Sequence, residues 1–391
     1  MLVNTPMVAI GEIFKVSSGG TPSRKKEEYF SGGNIRWVKT GDLKGKFANE
    51  PSERITQTAL ENSSAKLFPQ KTVLLAMYGA TIGACSILSF EAATNQACAA
   101  ILPSDKCDET YLYYYLTSIR SSLVRMGVGG AQPNISAGLI KNLQFPLPPL
   151  AEQQKIAAIL DAADQLRQKD QQLIDHYTQL SQSLFLQMFG DPVTNSNKYE
   201  VVTLGDATSK ITDGVHAKPD YTESGIPFIS VKDVTTGVLL FDKCKFISEE
   251  AHAKYFKRCN PELGDIIYTK VGATYGRAAI VDVSFEFSLY VSVALIKPIR
   301  TLINPVYLKE AMVNPAVKRQ ADKSIKGIGV PDLHLNMIKK FRIPLPPMEL
   351  QNQFAQHIEK IEQQKQQAQA SLEKSQALFN SLLQRAFKGE L

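Results

Sequence analysis

The sequence predicts a mixed α/β protein assembled twice, as two similar domains separated by two long helices that form an antiparallel coiled coil with pseudo-two-fold symmetry. Three observations carry this reading. F-P-L-P-P-L-A-E-Q-Q, from Phe145 to Gln154, returns as I-P-L-P-P-M-E-L-Q-N, from Ile343 to Asn352. Pro146 and Pro344 are 198 residues apart (344 − 146), and Phe189 and Phe387 keep that separation, so the register holds through both segments without a gap. Short landmarks ahead of each proline cluster also recur in the same order.

The helices come first because they fix the repeat. Proline removes a backbone donor and fixes φ, which is tolerable at a strand end or in the first turn of a helix but not inside either. Beyond Pro149 nothing interrupts a helix until Gly190. Along it Ile159, Leu166, Leu173 and Leu180 recur every seven residues, and Ile156, Ala163, Tyr177 and Leu184 form most of a second row that Asp170 breaks. The second segment offers Phe354, Ile361, Ala368 and Leu382, with Ile358, Leu372 and Phe379 beside them and Lys365 and Ser375 interrupting. A narrow apolar seam on a Gln-rich helix is what a coiled coil requires. The expected pairing set is therefore Ile159, Leu166, Leu173 and Leu180 with Phe354, Ile358, Ile361, Leu372 and Phe379. Each helix spans about 40 residues, or about 60 Å at 1.5 Å per residue.

The division that follows is residues 1–145 as a first domain, 146–190 as a first spacer helix, 191–197 as a turn-forming linker, 198–343 as a second domain and 344–391 as a second spacer helix. In the first domain Ile35–Val38, Val73–Tyr78 and Ala97–Leu102 have strand composition, and Tyr111 begins a helix. Ser18-Gly19-Gly20-Thr21-Pro22-Ser23 is a loop forced by adjacent glycines and a proline. The second domain repeats these landmarks: Ile10-Gly11-Glu12 as Leu204-Gly205-Asp206, Trp37-Val38 as Phe228-Ile229, and Gly79-Ala80-Thr81-Ile82-Gly83 as Gly272-Ala273-Thr274-Tyr275-Gly276. Tyr111-Leu112 returns as Tyr307-Leu308, and Gln132-Pro133-Asn134-Ile135 as Val330-Pro331-Asp332-Leu333. Framework positions match while the residues between them differ, the pattern of one fold recognising two different things.

Composition narrows the function. The formal charge is +6 with a pI near 8.8, a mildly basic balance that suits a nucleic-acid partner without specifying one. The five cysteines lack C-x-x-C spacing and several lie in apolar runs, so they read as small buried residues of a reducing compartment, with no metal site. No apolar run approaches the ~20 residues that span a bilayer, and the N-terminus lacks a secretory pattern, which predicts a cytoplasmic protein. Gly41-Asp42-Leu43-Lys44-Gly45-Lys46-Phe47 is too short for a Walker A loop. Asn304-Pro305-Val306-Tyr307 resembles the Asn-Pro-Pro-Tyr loop of amino-methyltransferases, but Val306 departs from it and its repeat partner is Asp108-Glu109-Thr110-Tyr111, so it reads as a helix start. No catalytic constellation is evident.

Binding chemistry remains, in polar and basic side chains on glycine-punctuated loops. The candidate DNA-binding residues of the first half are Thr21, Arg24, Lys25, Lys26, Lys39, Lys44, Lys46, Thr81, Gln132 and Asn134; those of the second are Lys218, Lys232, Lys270, Thr274, Tyr275, Arg277, Lys323 and Lys326. Cations beside glycine can approach phosphates, while Arg, Lys, Asn and Gln can reach base edges.

The order G-G-T-P-S, N-I-R-W-V-K-T-G-D-L, M-Y-G-A-T-I-G and F-P-L-P-P-L-A-E-Q-Q-K-I, with degenerate second copies and a terminal A-F-K-G-E-L, resembles the specificity subunit of type I restriction-modification systems along essentially the whole chain. That resemblance implies two target-recognition domains, each reading one half of a split, asymmetric double-stranded DNA site, with the helices as spacer and docking surface for two methyltransferase subunits. Restriction-translocase subunits would join that core. S-adenosylmethionine, ATP and Mg²⁺ would then be bound by the partners and not by this chain. The second copy departs from the pattern at Leu350-Gln351-Asn352-Gln353-Phe354. Alternatives of other classes are a self-contained methyltransferase-nuclease with unrecognised motifs and a coiled-coil adaptor with no nucleic-acid role.

Overall fold

The computed structural model describes residues 5–127, 134–192, 194–235, 237–325 and 331–391. Two compact units emerge, one formed by Met1–Gln171 with Ala370–Leu391 and the other by Gln172–Gln369. Each unit thus keeps one globular domain and takes half of each long helix, where the sequence reading had set the helices apart as separate segments.

In the first unit, Val16–Ser18, Cys98–Ile101, Val73–Ala76 and Cys85–Ile87 form a four-stranded antiparallel sheet in that order. Val73–Ala76 and Cys98–Ile101 are buried at every position, which explains their unbroken apolar runs in place of alternation. A second sheet sets Ile35–Val38 parallel to Ala92–Thr94, with Arg54–Ile55 and Leu67–Phe68 at the edges. The second unit repeats the design: Thr208–Asp213, Val293–Pro298, Ile266–Thr269 and Ala278–Ile280 make its antiparallel sheet, and Ile226–Ile229 runs parallel to Ser288–Leu289.

The proline clusters acquire a structural reason. Gln144–Pro146 pairs only with Met7–Ala9, so Pro146 sits in a two-stranded ladder where its missing donor is tolerable. The prolyl carbonyls still need donors, and a glutamine in the first turn of the following helix and a tyrosine from an earlier helix supply them. Gln153 is fully buried; its Nε2 donates to Pro148 O at 2.8 Å and Lys106 O at 3.1 Å, and its Oε1 accepts from Asp108 N at 2.9 Å. Tyr111 Oη donates to Pro146 O at 2.9 Å. In the second unit Gln351 Nε2 donates to Pro346 O at 2.8 Å, its Oε1 accepts from Asn304 N at 2.8 Å, and Tyr307 Oη donates to Pro344 O at 2.7 Å. Asn304 also caps the helix Pro305–Val313 through Val306 N and Tyr307 N, as Asp108 caps Glu109–Ser118.

The long helices run Leu150–Phe189 and Met348–Lys388, starting four residues later than the sequence boundaries because the proline clusters close a strand before the helix opens. Each is followed by a glycine at positive φ, Gly190 at 74° and Gly389 at 82°.

The pairing face corrects the sequence reading. Ile159, Leu166, Leu173 and Leu180 are 43%, 46%, 45% and 49% exposed and do not form the seam. In the first unit the buried face is Ile156, Leu160 and Ala163, packed in one core with Phe379, Leu383 and Ala386. Asp170, the residue that broke the second row, is buried and accepts from Ser371 Oγ at 3.0 Å and Ser375 Oγ at 2.7 Å. In the second unit Phe185 and Phe189 meet Phe354, with centroids 5.7 and 5.1 Å apart. Phe354, Ile358 and Phe379 are buried as expected, while Ile361 and Leu372 are partly buried. Two rows with the same seven-residue period are equivalent to a helix alone. The row that also touches its domain core buries more apolar surface, and Ile156 and Leu160 share a core with Tyr111 and Tyr114.

Candidate nucleic-acid interface

Strand ends converge into one rim in each unit. In the first, the chain leaves Val16–Ser18, Ile35–Val38, Val73–Ala76 and Ala92–Thr94 toward the same turn, 95–97. Gly20 N donates to Thr94 O at 2.9 Å, Asn95 N to Val38 O at 3.1 Å, Met77 N to Ala97 O at 2.9 Å, and Ile135 N to Met77 O at 3.0 Å. The second unit repeats the weave through Val215 N to Leu289 O, Tyr290 N to Ile229 O, Lys270 N to Ser292 O and Leu333 N to Lys270 O, at 2.9, 2.9, 3.1 and 2.9 Å. Glycine is required where the loops cross: a Cβ on Gly19 would lie 2.1 Å from Thr94 O, and one on Gly214 would lie 1.9 Å from Leu289 O.

Several sequence-selected residues meet on the first rim. Thr21 hydrogen-bonds Gln96. Arg24 and Lys39 are both held by Glu53, which ties the Gly-Gly-Thr-Pro-Ser loop to the end of Ile35–Val38, and the Arg24 guanidinium lies 5.1 Å from the Trp37 ring centroid. The hydrogen bond from Lys39, helped by Arg24, holds the Glu53 carboxyl below its ordinary range. Asn134 bridges Tyr78 across backbones, and Thr81 Oγ1 donates to Tyr78 O at 3.0 Å. Lys26 reaches Tyr29 Oη at 2.9 Å, and that hydrogen bond raises its pKa. Lys25 and Lys44 are exposed.

Lys46 does not join them. Its ammonium is 2.7 Å from Asp161 on the first long helix, and Tyr114 Oη donates to the same carboxylate at 2.6 Å, so Lys46 clasps domain to helix. Lys270 is likewise corrected: its side chain is 5% exposed and sits between Asp213 and Asp332, at 3.7 and 3.3 Å. Tyr275 Oη donates to Asp322 at 2.6 Å, while Thr274 uses its carbonyl to accept from Thr269 Oγ1 at 2.8 Å. Arg277 is half-buried, and Lys218 and Lys232 are exposed. Lys323 lines a cavity of about 380 Å³ with Arg319, Gln320 and Arg342. Gln132 and Lys326 lie outside the described residues.

Sequence reasoning missed Asn95, Gln96 and Tyr78. Asn95 Oδ1 is buried without a hydrogen-bond partner, and Tyr78 is 45% exposed beside Gly79. The polar run Thr94-Asn95-Gln96 inside an otherwise apolar stretch was the available signal. Cys98 shows the opposite character, its thiol pushed up to about 12 by burial.

Residues 3–176 and 196–374 match the family model for the type I restriction modification DNA specificity domain, and the chain belongs to that family. It is a DNA-recognition component and not the enzyme of such a system. The specificity subunit of the type I restriction enzyme MjaIX of Methanocaldococcus jannaschii is 29% identical over 368 residues, 88% of this chain and 84% of that one. The EcoBI specificity subunit of Escherichia coli is 25% identical over 327 residues, 76% of this chain and 69% of that one. A solved S subunit of a type I restriction-modification system from M. genitalium covers 98% of this chain, and this chain 97% of it, with a TM-score of 0.59 at 16% identity, a likeness of fold. Among the described residues no helix is long and apolar enough to cross a membrane.

Proposed function

We propose that each unit reads one half of a bipartite, asymmetric double-stranded DNA site through its rim of converging loops. The observation that carries this is the same rim built twice on a matched frame with different side chains: Ser18, Met77 and Asn134 in one, Asp213, Lys270 and Asp332 in the other. The long helices, which carry the chain from one unit into the next, count the unread base pairs and dock two methyltransferase subunits, with restriction subunits joining that core. S-adenosylmethionine, ATP and Mg²⁺ belong to those partners, and the assembly works in a prokaryotic cytoplasm. Phosphate contacts from exposed lysines such as Lys25 and Lys218 supply affinity, and rim side chains supply base choice.

The test exchanges residues 1–145 for the first domain of another family member and sequences methylated sites in cells that also carry the methyltransferase partner. One half-site should be replaced and the other kept. Replacement of both half-sites, or of neither, would sink the modular reading.

A further inference from the structure

The floor of the second rim is charged, and the charge is organised around Asp213. Lys270, closed in with it, lies 3.7 Å from Asp213 Oδ2 and 3.3 Å from Asp332 Oδ1. The other Asp213 oxygen, Oδ1, accepts from Arg258 Nη2 at 2.7 Å and lies 3.2 Å from His216 Nε2. Asp213 and Lys270 side chains are 6% and 5% exposed, whereas those of Arg258 and His216 are 58% and 63% exposed. A deep, compensated carboxylate therefore presents two donors at the surface.

Stability does not account for this arrangement. Burying two charges costs desolvation that their attraction often fails to recover, and a well-packed apolar substitute is commonly as good. The first unit is that substitute: at the matched positions Ser18 pairs opposite Ala99 as Asp213 does opposite Ala294, and Met77 stands where Lys270 does, so the same frame closes without ions. What the ions add is direction. An unanchored arginine samples many rotamers, while one whose Nη2 is fixed on a carboxylate holds its remaining N–H groups in a planar fork of set orientation.

We infer that Arg258 is a specificity-determining residue of the second unit, reading a guanine in the half-site of that unit, with Asp213 and Lys270 as positioning residues and His216 as a neighbouring donor. Guanine offers O6 and N7 acceptors together in the major groove, the pattern an arginine fork fits. The inference rests on the proposed reading of DNA by the rims. Arg258 was absent from the sequence-selected set because it follows the helix Glu249–Phe256, 45 residues from Asp213, with no glycine loop to mark it.

The experiment sequences methylated sites in cells carrying the full chain and its methyltransferase partner, and measures binding of the purified complex to matched and single-base-changed duplexes. Arg258→Ala should make one guanine position degenerate, with discrimination there falling about ten- to hundredfold, while the other half-site and the spacer stay fixed. Arg258→Lys should recover part of that discrimination. The paired replacement Asp213→Ser with Lys270→Met installs the first unit's residues, keeps the fold, and should relax the same position by loosening Arg258. An unchanged site in both variants overturns the inference, as does a uniform loss of affinity across all duplexes, which would make Arg258 a phosphate contact. Should Arg258→Ala fail to fold, the paired replacement decides: an unaltered site in it overturns the inference. Failure of the underlying reading looks different, because the parent complex itself would then show no base preference or the domain exchange would alter both half-sites.

Discussion

The two rims share a backbone weave and differ in what fills it. In the first unit the matched positions are neutral, Met77, Asn134 and Ser18, and the fixed cations Arg24 and Lys39 stand on Glu53. In the second the floor is Lys270 between Asp213 and Asp332, and Arg258 and His216 rise from it. Backbone hydrogen bonds and the glycines at 19 and 214 specify the frame, so rim side chains can be exchanged as compensated sets while the fold stays. That separation is what a protein needs to change its target while keeping its architecture.

The largest effect that would break this comparison comes from Lys270→Ala. Removing Lys270 leaves the buried Asp213 carboxylate to its surface partners Arg258 and His216 alone and should cost about 3 kcal/mol, the low end for a broken buried pair, whereas the paired Asp213→Ser, Lys270→Met replacement should stay within about 1 kcal/mol of the parent. Differential scanning calorimetry measures both. Equal destabilisation would mean that the ions, and not the backbone weave, hold the second rim.

The helices provide a sharper contrast between two rows of one period. Leu160→Ala, in the buried face, should cost about 2–5 kcal/mol, and Leu166→Ala, in the exposed row, no more than about 0.5 kcal/mol in the isolated chain. Chemical denaturation followed by far-ultraviolet circular dichroism compares them. Loss at Leu166 matching that at Leu160 would restore the seam that periodicity first indicated.

The smallest effect concerns the Glu53 clasp of the first rim. Its folded pKa is depressed below 4.5, so its contribution is present above pH 4.5 and is lost as pH falls through the lower folded value. Trp37 is the only tryptophan in the chain and lies under Arg24, so its fluorescence reports release of the clasp. The spectrum should change as acid is added below pH 4.5 and Glu53→Gln should abolish that step. A step that persists in Glu53→Gln assigns it to another carboxylate.

Some of this was legible in the one-dimensional chain because it depends on local rules. Pro146 and Pro344 stand at or next to the last residue of their strands, Gly190 and Gly389 follow the ends of their helices, and an unbroken register between them declared a duplicated design, since proline and glycine act through their own backbones wherever they occur. The family resemblance rested on such punctuation, and the matched domain model spans both copies.

Tertiary structure alone decided which groups face one another. Lys46 looked like a loop cation beside Gly45, yet its partner Asp161 is 115 residues away. Lys270 looked available and is enclosed by carboxylates from two distant segments. Asp170 and Ser375 looked like flaws in two apolar rows and turn out to be hydrogen-bonded to each other at 2.7 Å. A buried polar group is tolerable only when its partner is present, and that partner is set by packing, which sequence spacing along one helix cannot encode.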